Sequence, residues 1–318
     1  MRHTWVIGAG GLLGGALVQS LGASGDMAYT PSGPMAWSNE PLLLSQLQAA
    51  VSAFAETIGV TDTWEIYWAA GVGTMSSQAS ELAPETTALA HLLHLVEKQS
   101  PLCSTRGAVA LASSAGAIYA GTFEEVINEH LPVSPTTPYA YAKLEQEQLL
   151  QAFAERCGSI HTLVARISTL YGTGQALGKK QGLLTHIARS IVRNKPIQIY
   201  VPFDTIRDYI AACDAADRVI TALRETSNER GHVVRLVASE HPTTIAEIVA
   251  TFKRVSRRTP RVVTSTSQNA ALYTRRVVFR SIASTGADRL TRTSLMVGIG
   301  QLLQAERYYF AQSSRSKP

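Results

Sequence analysis

Short apolar runs alternate with stretches of helical periodicity along most of the chain. Thr4–Ile7, Glu65–Ala69, Ala108–Ala112, His161–Arg166 and Val233–Val237 have the length and composition of buried strands. Between them the spacing predicts helices over Leu12–Leu21, Pro84–Lys98, Tyr139–Glu155, Leu183–Arg193, Asp214–Arg224 and Thr244–Val255. Pro84 near one helix start, and Thr243 or Thr244 before another, act as initiation signals. Residues 26–62 carry a weaker pattern, with a second strand at Ala28–Thr30 and a third near Met35–Trp37. The polar tail Gln312–Pro318 is expected to lie outside regular structure. Such alternation implies a parallel, doubly wound, Rossmann-like α/β sheet covered by helices on both faces.

The first strand and helix are joined by V-I-G-A-G-G-L-L-G, residues 6–14. Gly8 permits a tight turn, Gly11 lets backbone approach a pyrophosphate, and Gly14 allows the helix to pack on the sheet. The helix N-terminus then offers N–H groups and a positive dipole end to phosphate. The glycines also make Met1–Ala23 a poor signal-peptide core, despite its apolar character. NAD-binding chains carry an acidic residue after the second strand. Here that place holds Thr30-Pro31-Ser32, with Ser32 able to bond a ribose hydroxyl or a 2′-phosphate, so NAD and NADP both stay open.

The predicted strand Ala108–Ala112 runs into Ser113-Ser114 at its carboxyl end, where open α/β sheets hold ligands. Farther on, P-Y-A-Y-A-K sets Tyr139 four residues before Lys143, on one helix face. An ammonium beside a phenol favours phenolate, and a serine hydroxyl can share the same substrate oxygen. The three groups suit proton transfer coupled to hydride transfer.

Composition changes this picture little. The 318 residues are 45% hydrophobic and 17% charged, as in a globular protein with a large core. Cys103, Cys157 and Cys213 have neither metal-ligand nor disulfide spacing, which suits a reducing, cytoplasmic setting and gives no metal site. No segment is apolar enough to span a membrane. The charge of +5 is uneven: residues 251–292 hold ten Lys/Arg and one acid, Asp288. This region could meet phosphates, but its aromatics, Phe252, Tyr273 and Phe279, are too sparse to form a stacking platform for nucleic acid.

With these residues in hand, the chain resembles the extended short-chain dehydrogenase/reductases, and within them the NAD-dependent epimerase/dehydratase family that acts on nucleotide sugars. The resemblance rests on five ordered segments: G-A-G-G-L-L-G, A-L-A-S-S-A-G-A-I-Y-A-G at 110–121, P-Y-A-Y-A-K, R-I-S-T-L-Y-G-T-G-Q at 166–175, and I-R-D-Y-I at 206–210 with Asp214 and Asp217 beyond. It implies Tyr139 as general acid/base, Lys143 as its electrostatic partner and a ribose contact, and Ser114 as the substrate-oxygen donor, with Ser113 the alternative. The implied cofactor contacts are Gly8, Gly11, Leu12, Leu13, Gly14, Ser32, Ala69, Ala70, Gly71, Ser113, Tyr139, Lys143 and Arg166. Thr169 and Arg207 join Ser114 in the substrate site, Arg207 holding a diphosphate, unless Asp208 or Asp214 engages it as an ion pair.

The family's 4,6-dehydratases place Asp-Glu after the catalytic hydroxyl. Ala115, Gly116 and Ala117 stand there instead, so elimination of water is disfavoured. Thr169 also replaces the family's usual Asn. The resemblance therefore implies a nucleotide-sugar 4-epimerase, or a 4-keto reductase preferring NADPH. A non-catalytic dinucleotide-binding module is the reading of another class. The expected division is a dinucleotide-binding domain over 1–172 and 206–237, with a smaller α/β substrate part over 173–205 and 238–318. Leu144, Leu149, Leu150 and Phe153 would allow a homodimer through the Tyr139 helix.

Overall fold

The computed structural model describes residues 1–174, 182–227, 231–264, 276–283 and 292–315. In chain order the elements are β1 (Arg2–Ile7), α1 (Leu12–Ala23), β2 (Met27–Tyr29), α2 (Glu40–Glu56), β3 (Thr63–Trp68), α3 (Ala79–Glu97), α4 (Ser100–Ser104), β4 (Arg106–Ser114) and α5 (Ala115–Ile118). There follow α6 (Pro138–Arg156), β5 (Ile160–Ile167), β6 (Thr169–Tyr171), α7 (Leu183–Val192), β7 (Ile197–Ile199), β8 (Ile206–Ala211) and α8 (Ala212–Thr226). The last elements are β9 (His232–Val237), β10 (Pro242–Thr244), α9 (Ile245–Ser256), β11 (Val262–Thr264) and α10 (Leu295–Arg315).

Six strands form one parallel sheet in the order β2-β1-β3-β4-β5-β9. Its inner strands are buried almost throughout, as a sheet covered on both faces requires. On one face α1 and α8 cover Tyr67, Ala110 and Leu163 through Leu13, Leu17, Val219 and Leu223. On the other, α2, α3 and α6 cover Trp5, Ile66 and Val164 through Leu47, Phe54, Leu89, Leu92 and Phe153. The strand order turns back at β1, which lies between β2 and β3. The crevice outside the carboxyl ends of β1 and β3 is therefore the place for a ligand.

A third core joins α7, α9 and α10 to β7 and the end of β8, around Leu184, Ile187, Ile248, Phe252 and Leu302. Here β8 pairs with β6 and β10, and β11 with β7, apart from the six-stranded sheet.

Several expectations are corrected. Met35–Trp37 forms no strand; the chain passes through a loop into α2. Leu43, Leu47, Ala50, Val51 and Phe54 line one helical face, and Asn39 caps the start by accepting from the Leu42 N–H. Pro84 is not a helix start: α3 begins at Ala79 behind a capping box of Gln78 and Glu81 and runs through the proline. At the chain's end, α10 continues to Arg315, so Gln312 is helical, while 316–318 lie outside the described residues. The α6 positions read as a dimer seam face inward. Leu150 and Phe153 are fully buried, Leu149 packs on the same core, and Leu144 packs beside Ile118 and Phe279. The exposed side of α6 carries Tyr141, Glu145, Gln148 and Glu155.

At the amino ends of the strands, Arg224 of α8 clamps Glu65 with both Nε and Nη2, at 3.0 and 2.9 Å. It also reaches Asp26 at 2.6 Å. Arg2 adds a second cation to Glu65 at 3.2 Å, and the Tyr67 hydroxyl donates to the same carboxylate at 2.7 Å. Both carboxylates are buried, so removing Arg224 takes the closer cation from two groups at once and leaves only Arg2, among the described residues, beside them. Arg224→Ala should cost about 3–5 kcal/mol, the scale for breaking a buried ion pair, measured as the loss of unfolding free energy in urea.

Candidate active site

The site is built where β1, β3, β4 and β6 end. The backbone at Gly8 has φ +91°, a left-handed conformation that favours glycine. A Cβ there would lie 2.5 Å from the Ala70 nitrogen, so the turn after β1 presses on the segment after β3. A Cβ on Gly14 would lie 2.1 Å from the Gly8 oxygen, which seats α1 against its own entry turn. Gly11 differs. It is exposed, has φ −84°, and donates its N–H to Gly8 O at 2.9 Å. No side chain caps the helix there. Gly8 and Gly14 thus serve the fold, while Gly11 keeps the helix entrance bare, a cradle suited to a pyrophosphate. Leu13 belongs to the core, and Leu12 lies beside Gly172, at the end of β6. Ser32 is exposed, three residues past β2.

Pro138 opens α6, and Thr137 caps it by accepting from the Ala140 N–H. Tyr139 and Lys143 share the face turned toward β4 and α3. Ser114, the last residue of β4, lies beside the Tyr139 phenol and pulls its pKa down. Its neighbour points elsewhere: the Ser113 hydroxyl donates to Glu147 at 2.5 Å. Glu147 also receives hydrogen bonds from Arg166, Nε at 3.1 Å from each carboxylate oxygen and Nη2 at 2.7 Å from Oε2. Arg166 Nη1 in turn donates to the Tyr119 hydroxyl at 2.5 Å. The alternation of side chains along a strand therefore decides the serine register: Ser114 meets the tyrosine and Ser113 enters a buried polar cluster. Arg166, expected at the cofactor, has its guanidinium held inside that cluster, and only 7% of its surface is exposed.

The electrostatics correct one expectation. Lys143 Nζ stands 5.9 Å from the Tyr139 ring centroid, bonded to Gln146 at 2.9 Å and 4.0 Å from Glu85. Tyr139 is not brought below its ordinary value. Desolvation of the phenol, with the Glu85 carboxylate adding to it, pushes its pKa up to about 12; the Ser114 hydroxyl opposes them. Burial lowers the pKa of Lys143, against the pull of Glu85 and Glu147. In this arrangement Tyr139 is a protonated phenol at neutral pH, ready to give a proton.

Thr169 is exposed on β6, opposite Tyr209 of β8 in register. Arg207 is half-buried on β8 and donates to the Ile206 carbonyl at 2.8 Å. The acids weighed as its partners are bonded to other groups: Asp208 accepts from Ser168 and Ser239, and Asp214 from Thr293. Of the basic segment, Arg275 and Arg289 lie outside the described residues, and Gln175 of the fourth matching segment does too. Among the described residues no cluster of His, Cys, Asp and Glu could hold a metal, and no helix is long and apolar enough to cross a membrane.

Sequence reasoning overlooked Glu85, Thr86 and Gln146, which surround Lys143 at the seam of α3 and α6. A signal was present. Glu85 interrupts the otherwise apolar stripe of Leu82, Leu89, Leu92 and Val96.

Comparison with known proteins decides the family. Residues 4–236 match the NAD dependent epimerase/dehydratase family. The chain belongs to this family. Among curated proteins, a UDP-glucose 4-epimerase of Azospirillum brasilense is 28% identical over 157 residues, 45% of each chain. The match thus spans less than half the length of that relative. Solved structures are alike over nearly their whole length. UDP-glucose 4-epimerase of Thermus thermophilus, in complex with NAD, has TM-score 0.78 at 18% identity, covering 96% of this chain and 99% of that one. RMD of Pseudomonas aeruginosa, complexed with NADPH, has TM-score 0.75 at 17% identity, covering 97% and 100%. These likenesses establish the Rossmann-like fold of the epimerase/dehydratase chain.

The glycines can be separated by experiment. Gly11→Val should fold as the wild type and lose measurable NAD and NADP binding in calorimetry. Gly14→Ala should instead lower the unfolding midpoint by far more, because its Cβ would lie 2.1 Å from the Gly8 oxygen, against 3.2 Å for a Cβ on Gly11.

Proposed function

We propose that this epimerase/dehydratase-family chain interconverts nucleotide sugars by hydride transfer at a Ser114–Tyr139–Lys143 site, as a 4-epimerase. The observation that carries the reading is the placement of Ser114 at the end of β4 beside the Tyr139 phenol, with Lys143 one turn on along α6 and its ammonium 5.9 Å from the tyrosine ring. The bare N-terminus of α1 and the close backbone at Gly8 and Ala70 fit a dinucleotide, NAD or NADP. When bound, that cofactor would supply the hydride acceptor and donor.

The chain's own part is proton management and binding. Tyr139 gives a proton to a sugar C4 ketone, or takes one from the alcohol, through the oxygen that Ser114 also bonds. Lys143 supplies positive charge beneath the phenol. Arg207 grips the diphosphate with charge-assisted hydrogen bonds, and Thr169 lines the same side. Under this reading the third core, over 173–205 and 238–318, forms the substrate part.

The segment after β2 favours a second reading. Ser32, exposed there in place of an acid, suits the 2′-phosphate of NADP and so a 4-keto sugar reductase. The two are distinguished by adding a UDP-hexose with no free cofactor. An epimerase turns over; a reductase needs stoichiometric NADPH and a 4-keto sugar.

Tyr139→Phe should retain folding and cofactor affinity while single-turnover hydride transfer falls by roughly 10²–10⁴, the worth of a general acid/base. Tyr141→Phe, at an exposed position, should cost far less. Near-wild-type rates in Tyr139→Phe would leave a non-catalytic dinucleotide-binding module as the better reading. Arg207→Ala should weaken UDP by about 1.5–3 kcal/mol, the worth of a hydrogen bond to a charged group. Dinucleotide affinity should stay unchanged, both by calorimetry.

A further inference from the structure

Glu85 has no part in the reaction as set out above, yet it faces Lys143 and binds the loop that lies against Tyr139. It stands on α3, buried, on a stripe that is otherwise apolar. Its Oε1 accepts two backbone hydrogen bonds, from Val72 at 2.5 Å and Gly73 at 2.9 Å. Its Oε2 faces the Lys143 ammonium at 4.0 Å. Lys143 donates to Gln146, and Gln146 donates to Thr86, the residue after Glu85, at 3.4 Å. The tethered loop lies against the catalytic ring: a Cβ on Gly73 would sit 3.1 Å from Cδ2 of Tyr139.

We propose that Glu85 is a positioning residue of this site, fastening the loop Gly71–Gly73 against Tyr139 with one carboxylate oxygen and holding Lys143 in place with the other. The inference rests on the proposed role of Tyr139 and Lys143. A buried carboxylate is costly unless it is paired and hydrogen-bonded, and here both conditions are met by groups of the site itself. Two tasks are combined in one side chain. As an acceptor it orders the segment after β3 that borders the glycine turn. As an anion it favours the charged form of Lys143 and disfavours phenolate at Tyr139. The groups facing the pair are Glu85 from α3, Glu147 from α6 acting on Lys143, and Ser114 from β4; the loop contributes backbone N–H.

Substitutions can separate the two tasks. Glu85→Gln keeps an acceptor for Val72 and Gly73 and removes the charge. The Tyr139 phenolate is read by ultraviolet absorbance after stopped-flow pH jumps, each variant being compared with the same protein carrying Tyr139→Phe. In Glu85→Gln the Tyr139 midpoint should fall by on the order of one pH unit, since an adjacent anion no longer opposes phenolate. Dinucleotide affinity should stay within about twofold. Glu85→Asp, which retains the charge, should stay nearer the wild-type midpoint. Glu85→Ala should weaken dinucleotide binding by about tenfold, through loss of the loop's two hydrogen bonds. An unchanged midpoint in Glu85→Gln, or an equal fall in Glu85→Asp, would overturn the proposal. The titration needs no substrate, so it stands apart from the turnover of Tyr139→Phe, which tests the catalytic reading.

Discussion

The molecule depends on the close approach of two backbones at the carboxyl edge of its sheet. The turn at Gly8 leaves no room for a side-chain atom before the Ala69–Ala70 segment, and Gly14 leaves none before Gly8 itself. These contacts seat the first turn of α1 directly over the strand-order reversal, where the crevice opens. Helix N–H groups then point into that crevice because the sheet and the turn leave them no other direction. A methyl group at Gly8 would have to push the segment after β3 away, and one at Gly14 would have to lift α1 off its own entry turn.

Polar groups taken into the interior are matched in sets. Arg166, Glu147, Ser113 and Tyr119 form one cluster joining β4 and β5 to α6. Glu85, Lys143, Gln146 and Thr86 form another along the seam of α3 and α6. Each hydrogen bond is worth little net, but an orphaned member would cost far more. The clusters therefore fix rotamers near Tyr139 more firmly than apolar packing alone would. One consequence is chemical. Lys143 is shared among Gln146, Glu85 and Tyr139, so its charge does not act on the phenol alone, and the phenol remains protonated.

The third core, around Phe252 and Leu302, brings β8 with Arg207 beside β6 with Thr169. A chain region far along the sequence is thus carried back to the mouth of the crevice. Under the proposed function the dinucleotide would lie in the crevice of the six-stranded sheet and the sugar against this neighbouring core.

Much of this was legible in the residues. The strand–glycine–helix opening, the parallel sheet and the Tyr139–Lys143 spacing are local patterns, set by steric freedom at glycine and by helical periodicity. The capping of α9 by Thr244, with Glu247 returning the bond, is local too. Other features had no local signature. Met35–Trp37 has strand-like composition, but the hydrophobic face of α2 claims the space beside β3, and no third strand forms there. Which serine meets the tyrosine depended on how β4 alternates against α6. Leu149 and Phe153 turned inward because α6 packs on the sheet and α3 through that face. Arg166 was drawn to Glu147, and the Tyr139 pKa was raised by burial and Glu85, through contacts across α3, α6 and β5. Sequence by itself determined which chemical groups stand at the ends of the strands, since those depend on neighbours along the chain. Tertiary structure alone decided which of them are paired, buried or left to face a ligand, because burial and pairing are properties of segments that meet only after folding.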